Sequence, residues 1–115
     1  MRGFAASAVR LLFFDINTGN LKMSFTDETV NAVWRKGKSV GKNDPNVWRH
    51  DKCTAWMRRS AYGDRKSQYG WEIDHINSNG SDVLSNLQPL QWENNVDKSD
   101  GRLKCNVKSD GKDNK

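Results

Sequence analysis

Trp71-Glu72-Ile73-Asp74-His75-Ile76, followed by Ser85-Asn86-Leu87-Gln88-Pro89-Leu90 and Asn94-Asn95-Val96-Asp97-Lys98, is the stretch that decides the fold. From Gly70 to Ile76 apolar and polar residues alternate, Trp71 and Ile73 against Glu72 and Asp74, the period of a strand with two unlike faces. Asn77 to Asp82 is rich in Asn, Ser and Gly and reads as a loop. Leu87 to Gln91 reads as a second short strand, which Pro89 puts at an edge or ends early. Glu93 to Ser99 reads as helical, and Trp92 and Val96, four apart, can share one buried face. The order is strand, loop, strand, helix. It leaves Asp74 and His75 at the end of the first strand and returns Asn95 across Asp74. Neighbouring strand residues point to opposite faces, so Asp74 and His75 serve one site only if the chain bends or ends there, as the loop permits.

The side chains gathered this way carry a definite chemistry. A carboxylate and a carboxamide oxygen can hold a hard divalent cation and leave most of its shell to water and phosphate. An imidazole beside that cation is a general base near neutral pH. These are the parts of a one-metal phosphodiesterase site.

Outward from this stretch, Thr26-Asp27-Glu28-Thr29 offers helix caps ahead of Val30, Val33 and Trp34, so a short helix is expected from about Asp27 to Arg35. Lys36 to Asn46 holds turn residues and reads as a loop. Asp51-Lys52-Cys53-Thr54 reads as a turn, or as the cap of a helix carrying Ala55 to Arg59. Between Arg35 and Lys66 there are ten Lys and Arg against three Asp, with Trp34, Trp48, Trp56, Tyr62 and Tyr69 interleaved. For any one of these residues a solvated face over core aromatics is the simpler reading, but the region as a whole favours phosphate. The net charge of +5 and pI near 9.4 point the same way, toward polyanionic partners.

At 115 residues, one domain with a modest core is expected. Hydrophobic residues are 35% and charged residues 29%, lean enough to predict that part of the chain is tail. Residues from about Asp100 to Lys115 fit that description and are expected to be disordered. Phe4 to Phe14 is apolar apart from Arg10. It is too short to span a bilayer, and the residues after it are no signal-peptide cleavage site, so an accessory strand, a helix or a leader remains. Met23 is an alternative start. The expected divisions are residues 1–22 as leader or accessory segment, 23–102 as the functional domain and 103–115 as tail. Cys53 and Cys105 form no Cys-x-x-Cys pair, so no cysteine zinc site is expected, and reduced thiols in a cytosolic setting are the default reading.

Asp74-His75, Asn86 eleven residues later and Asn95 nine beyond that, framed by Trp-Glu-Ile-Asp-His-Ile, Ser-Asn-Leu-Gln-Pro-Leu and Asn-x-x-Lys-Ser-Asp, resemble the HNH endonuclease family. Asp51-Lys52-Cys53 and Tyr62-Gly63 resemble the lead-in of one subgroup. The resemblance covers roughly residues 30–102 and is strongest from Trp71 to Asp100. It implies an α+β chain with a ββα-metal core, an N-terminal helical or loop extension and a disordered C-terminal tail. It also implies that Asp74 and Asn95 hold one Mg²⁺, Mn²⁺ or other divalent ion, with Asn94 the alternative to Asn95. His75 would be the general base, and Asn86 would bond across the loop and orient His75. Lys98, Arg102, Arg58 and Arg59 are expected to contact nucleic acid. Many relatives bind a structural zinc through two Cys-x-x-Cys pairs. Here Trp56, Gln91 and Asn94 stand at three of those four positions, so no structural zinc is expected, with Trp56, Trp92 and Val96 supplying packing instead.

The activity implied is metal-dependent hydrolysis of DNA, including strand nicking, in the cytoplasm of a bacterium or encoded by a phage, with no membrane association. No separate sequence-reading module is evident, so a homodimer or a partner protein is left to supply specificity. The alternatives are a non-catalytic basic nucleic-acid-binding module and a phage or toxin nuclease dependent on a partner.

Overall fold

The computed structural model describes residues 10–98, 101–109 and 114, and the first of these form an antiparallel hairpin. Strand β1 (Arg10–Asp15) pairs with β2 (Asn20–Phe25) in a register that sets Arg10 opposite Phe25. Gly19, at φ +72, closes the turn and donates its N–H to the Asp15 carbonyl. Of the strand, helix or leader left open for this segment, its described residues from 10 onward take the strand form, and a boundary at residue 22 falls inside β2. Leu11, Leu12, Phe14 and Leu21 are exposed on it.

Helix α1 (Asp27–Trp34) follows at once. The Thr26 side chain accepts the Thr29 N–H at its start, and Asp27 and Glu28 lie in the first turn, where the helix dipole favours acids. Its inner face buries Val30, Val33 and Trp34. These pack with Met57, Trp71 and Leu87 into the core, and the Trp34 and Trp71 rings stand 5.2 Å apart.

Strand β3 (Trp48–His50) pairs antiparallel with β4 (Trp56–Arg58), and a single 3₁₀ turn covers Arg59–Ala61. Asp51 makes the turn between them: its Oδ1 accepts the N–H groups of Cys53 and Ala55. The turn reading of this segment holds. Residues after it continue as a strand, because β4 must pair back with β3.

Strand β5 (Trp71–His75) and strand β6 (Leu87–Gln91) form the third antiparallel pair, with Ile73 opposite Pro89 and Asp74 opposite Gln88. Each sheet has two strands, so Pro89 lies on an edge. A 3₁₀ turn (Leu84–Asn86) leads into β6, and helix α2 (Trp92–Val96) leaves it and packs on both β5 and β6. Together these elements make a small α+β fold of short antiparallel sheets and two helices.

Three expectations need correction. Cys53 and Cys105 are joined in a disulfide, not held as reduced thiols. The bridge explains the second correction: the segment 101–109 is no loose tail. Val107 exchanges hydrogen bonds with the Asn94 amide, the Ser109 N–H reaches Thr54 O, and Asn106 reaches Asp97. Asn114 is buried and bonds both backbone groups of Trp56. Third, Val96 is 53% exposed and shares no buried face with Trp92. Asn94 occupies the inner face of α2 because its amide donates to the buried Asp51 carboxylate, 3.1 Å away.

No helix among the described residues is long and apolar enough to cross a membrane.

Candidate active site

Alternation along β5 puts Glu72 and Asp74 on the face that α2 covers. Asn95 and Lys98, three apart and so on one side of the helical turn, meet them in order: Asn95 Nδ2 donates to Glu72 Oε1 at 2.8 Å, and Lys98 Nζ lies 2.9 and 3.1 Å from the two Asp74 oxygens. Gln88, opposite Asp74 on β6, donates to it as well. The Lys98 and Asp74 side chains are only 6% and 8% exposed. The same ammonium donates to the main-chain carbonyl of His75 at 2.6 Å and reaches that of Ile76 at 3.4 Å. At the end of β5, then, one carboxylate and two carbonyls converge on a single buried cation, and that cation is Lys98.

His75 turns the other way. Its Nε2 is 2.6 Å from Asp82 Oδ1, and Asp82 also binds Arg10 of β1, Nε to Oδ2 at 2.5 Å. Arg10, and after it His75, hold the Asp82 carboxyl at about 2, well below the ordinary carboxylate value. An ionised carboxylate can only accept, so Nε2 of His75 carries the proton and donates it, leaving Nδ1 as the basic nitrogen.

Asn86 builds the loop that carries Asp82. Its Oδ1 accepts the Asn77 N–H at 2.8 Å, and its Nδ2 donates to the carbonyls of Asn77 and Ser81. A Cβ on Gly80 would stand 2.5 Å from Asn86 Nδ2, so glycine is required for this close approach. Asn86 does not touch His75; it acts on it through the loop and Asp82.

Of the two asparagines on α2, Asn94 is fully buried with its oxygen accepting the Val107 N–H, and Asn95 faces Glu72. Glu72 sits between Asn95 and Arg65. Burial raises its pKa, but the hydrogen bonds from Arg65 and Asn95 outweigh that and hold it low. Among the described residues no three His, Cys, Asp or Glu side chains cluster as a metal site. A divalent ion here would rest on one carboxylate with amide and main-chain oxygens. Of these oxygens the Lys98 ammonium rests on the Asp74 carboxylate and the two main-chain carbonyls, and on no side-chain amide.

Cys53, Trp56, Gln91 and Asn94 are each engaged within the fold. Cys53 is in the disulfide, Trp56 packs edge-on against Trp48 and His50, and the Gln91 N–H and the Asn94 amide both donate to Asp51. Burial pushes the Asp51 carboxyl up, opposed by these N–H donors and those of Cys53 and Ala55.

Three side chains of the basic run are engaged by oxygens of the chain itself. Lys36 donates to the Leu87 carbonyl, Arg49 to those of Pro45, Arg35 and Gly37, and Arg59 to Asn31. Arg58 is exposed, with its guanidinium 5.5 Å from the centre of the Trp48 ring, and Arg102 is exposed beyond α2.

Asp82 and Arg10 are the functional neighbours that sequence reading missed. Asp82 carried a signal, as the single acid between Ile76 and Asn86, whereas nothing local marks Arg10, which lies 72 residues before its partner. No family profile, no curated protein and no solved structure matches the chain.

Proposed function

We propose that the chain is a divalent-metal-dependent endonuclease of the HNH kind, with a ββα-metal core made by β5, β6 and α2, hydrolysing phosphodiester bonds in DNA. The observation that carries this reading is the buried cation position on Asp74, beside a histidine whose Nε2 is committed to Asp82. The resemblance of Asp74-His75, Asn86 and Asn95 to the family supports it from the sequence.

Asp74 would hold the ion, Mg²⁺ or Mn²⁺, with Asn95, whose amide is bonded to Glu72 in this structure, as the second ligand that the family resemblance implies. When bound, the ion supplies charge to stabilise the pentavalent phosphorus and the leaving 3′ oxygen. His75 Nδ1 takes the proton from the attacking water, Asp82 stabilises the imidazolium that forms, and Arg10 keeps Asp82 ionised. Asn86 fixes the loop so that this chain of contacts survives substrate binding. Lys98 must leave Asp74 when a metal enters, and its ammonium is then free to meet a phosphate. Arg58, Arg59 and Arg102 are the further candidates for phosphate contact. Cytoplasmic action of a bacterial or phage enzyme belongs to this reading only if the protein tolerates loss of its disulfide.

The occupied cation position also favours a second reading, a nucleic-acid-binding module in which Lys98 permanently fills the place of a metal. Supercoiled plasmid incubated with Mg²⁺, Mn²⁺ or EDTA separates the two. Nicked or linear product that requires metal and vanishes in His75→Ala is expected. Retention of DNA on a gel without cleavage in any metal would reject the nuclease.

A further inference from the structure

On the β3–β4 sheet, away from Asp74 and His75, three aromatic side chains wall a cleft of about 310 Å³. Trp48 stands at its centre, edge-on to Trp56 at 6.0 Å between ring centres and to Tyr69 at 5.0 Å. All three rings are partly exposed, and Asn43 completes the lining. A second cleft, of about 270 Å³, lies beside it and is lined by Arg58, Arg59 and Ser60 among others. Arg58 joins the two, since its exposed guanidinium lies over the Trp48 ring.

We propose that the Trp48–Trp56–Tyr69 cleft is a stacking site for an unpaired base of a single-stranded nucleic acid, with Arg58 on the adjoining phosphate. An aromatic wall alone would suit an apolar peptide equally well. The cationic edge decides against that: Arg58 lies over the Trp48 ring and Arg59 lines the adjoining cleft, and a nucleotide is the ligand that is flat, aromatic and anionic together. The Asn43 amide adds a group able to bond a base edge. Tyr69 lies in the turn that leads into β5 and His75 ends that strand, so the cleft and the cutting site lie at opposite ends of β5. The inference rests on nucleic acid being the partner, and not on Asp74 and His75 cleaving it.

The test uses the full chain in EDTA, so that no cleavage occurs. Tryptophan quenching and fluorescence anisotropy are read with a thymidylate 12-mer and with an abasic deoxyribose-phosphate oligomer of equal length. The thymidylate is expected to quench and to bind about tenfold tighter or more, because base–aromatic stacking is sequence-tolerant but needs a base. Trp48→Leu is expected to lose about 5- to 100-fold of that affinity. Trp48→Phe, which keeps a ring, should stay close to the parent. Arg58→Gln should weaken both oligomers and lower the salt slope by about one.

Equal affinity of the parent protein for the two oligomers overturns the proposal, whether or not Trp48→Leu folds. Unchanged binding by a folded Trp48→Leu also overturns it. A dimer seen by sedimentation and lost in Trp48→Leu would give the cleft to a second copy, and the base would have no site there. If neither oligomer nor plasmid binds, the proposed function falls with it; metal-dependent cleavage with base-independent binding removes the stacking site alone.

Discussion

Lys98 sits on Asp74, where the proposed function puts the metal, and that makes it the most informative single residue to change. Its ammonium and the Asp74 carboxylate are both nearly enclosed, so removing one leaves an uncompensated buried charge. Lys98→Met is expected to destabilise the metal-free protein by about 3–5 kcal/mol. It also removes the internal competitor, so Mn²⁺ should bind more tightly, read by the electron paramagnetic resonance signal of free Mn²⁺, and should raise the melting temperature more than it does in the parent. Equal Mn²⁺-induced shifts in the two proteins would show that Lys98 and the metal do not share Asp74. Thr54 is a second residue with a clear prediction. It is β-branched yet held at φ +66 by the Asp51 turn, a conformation that costs a non-glycine residue on the order of 1–3 kcal/mol. Thr54→Gly relieves that strain but adds freedom to the unfolded chain, so a net gain of about 1 kcal/mol in urea denaturation is expected. A loss would mean that the threonine side chain contributes more than its backbone costs.

Among the elements, the β1–β2 hairpin has a role that its sequence hides, because Arg10 ties it to the loop that carries Asp82. The folded Asp82 carboxyl, at about 2, lies below its ordinary value of 3.8. Its contribution to stability is therefore present above the ordinary value and lost as pH falls through about 4 toward 2. Arg10→Gln removes the largest cause of the shift. The Asp82 titration, followed by carboxyl carbon resonances, should move up toward 3.8, and the hairpin amides should exchange faster at neutral pH. An unmoved midpoint would mean that Arg10 does not hold Asp82 in solution. Other elements were legible from the sequence. Helix α1 and strands β5 and β6 carry apolar patterns and clear caps or turns, so Asp74 and His75 could be placed at the end of β5, Asn86 just before β6 and Asn95 on the helix after it. Strands β3 and β4 are three residues each, too short to show a period. The inner face of α2 was misread because its partner, Asp51, is 43 residues away from Asn94 and makes an amide, not Val96, the buried side chain. The hairpin stayed open between strand, helix and leader because its apolar residues remain exposed and so do not follow the pattern of a half-buried strand.

For the whole molecule, the decisive long-range constraint is the bridge between Cys53 and Cys105, separated by 52 residues in sequence. Everything that forms the site lies within the loop it closes, apart from Arg10. The bridge fixes the 101–109 segment to the Asp51 turn, and that segment in turn bonds Asn94, so α2 is held by it as well as by β5 and β6. In the chain-entropy account, closing a loop of this length stabilises the fold by about 4 kcal/mol, a large share of the 5–15 kcal/mol typical of a domain. Replacing both cysteines, Cys53→Ser with Cys105→Ser, should lower the urea-denaturation free energy by about that amount. The parent protein in dithiothreitol should coincide with the double variant, since both lose the same constraint. Amides of the 101–109 segment should lose protection first, with those of α2 next, while β5 and β6 stay protected as long as the core around Trp71 persists. Cleavage should decline in parallel with α2 protection, because Asn95 and Lys98 ride on that helix and its continuation. If dithiothreitol leaves the denaturation midpoint and the α2 exchange unchanged, the hydrogen bonds of Asn94 and Asp51 suffice without the bridge, and the fold is equally suited to a reducing compartment.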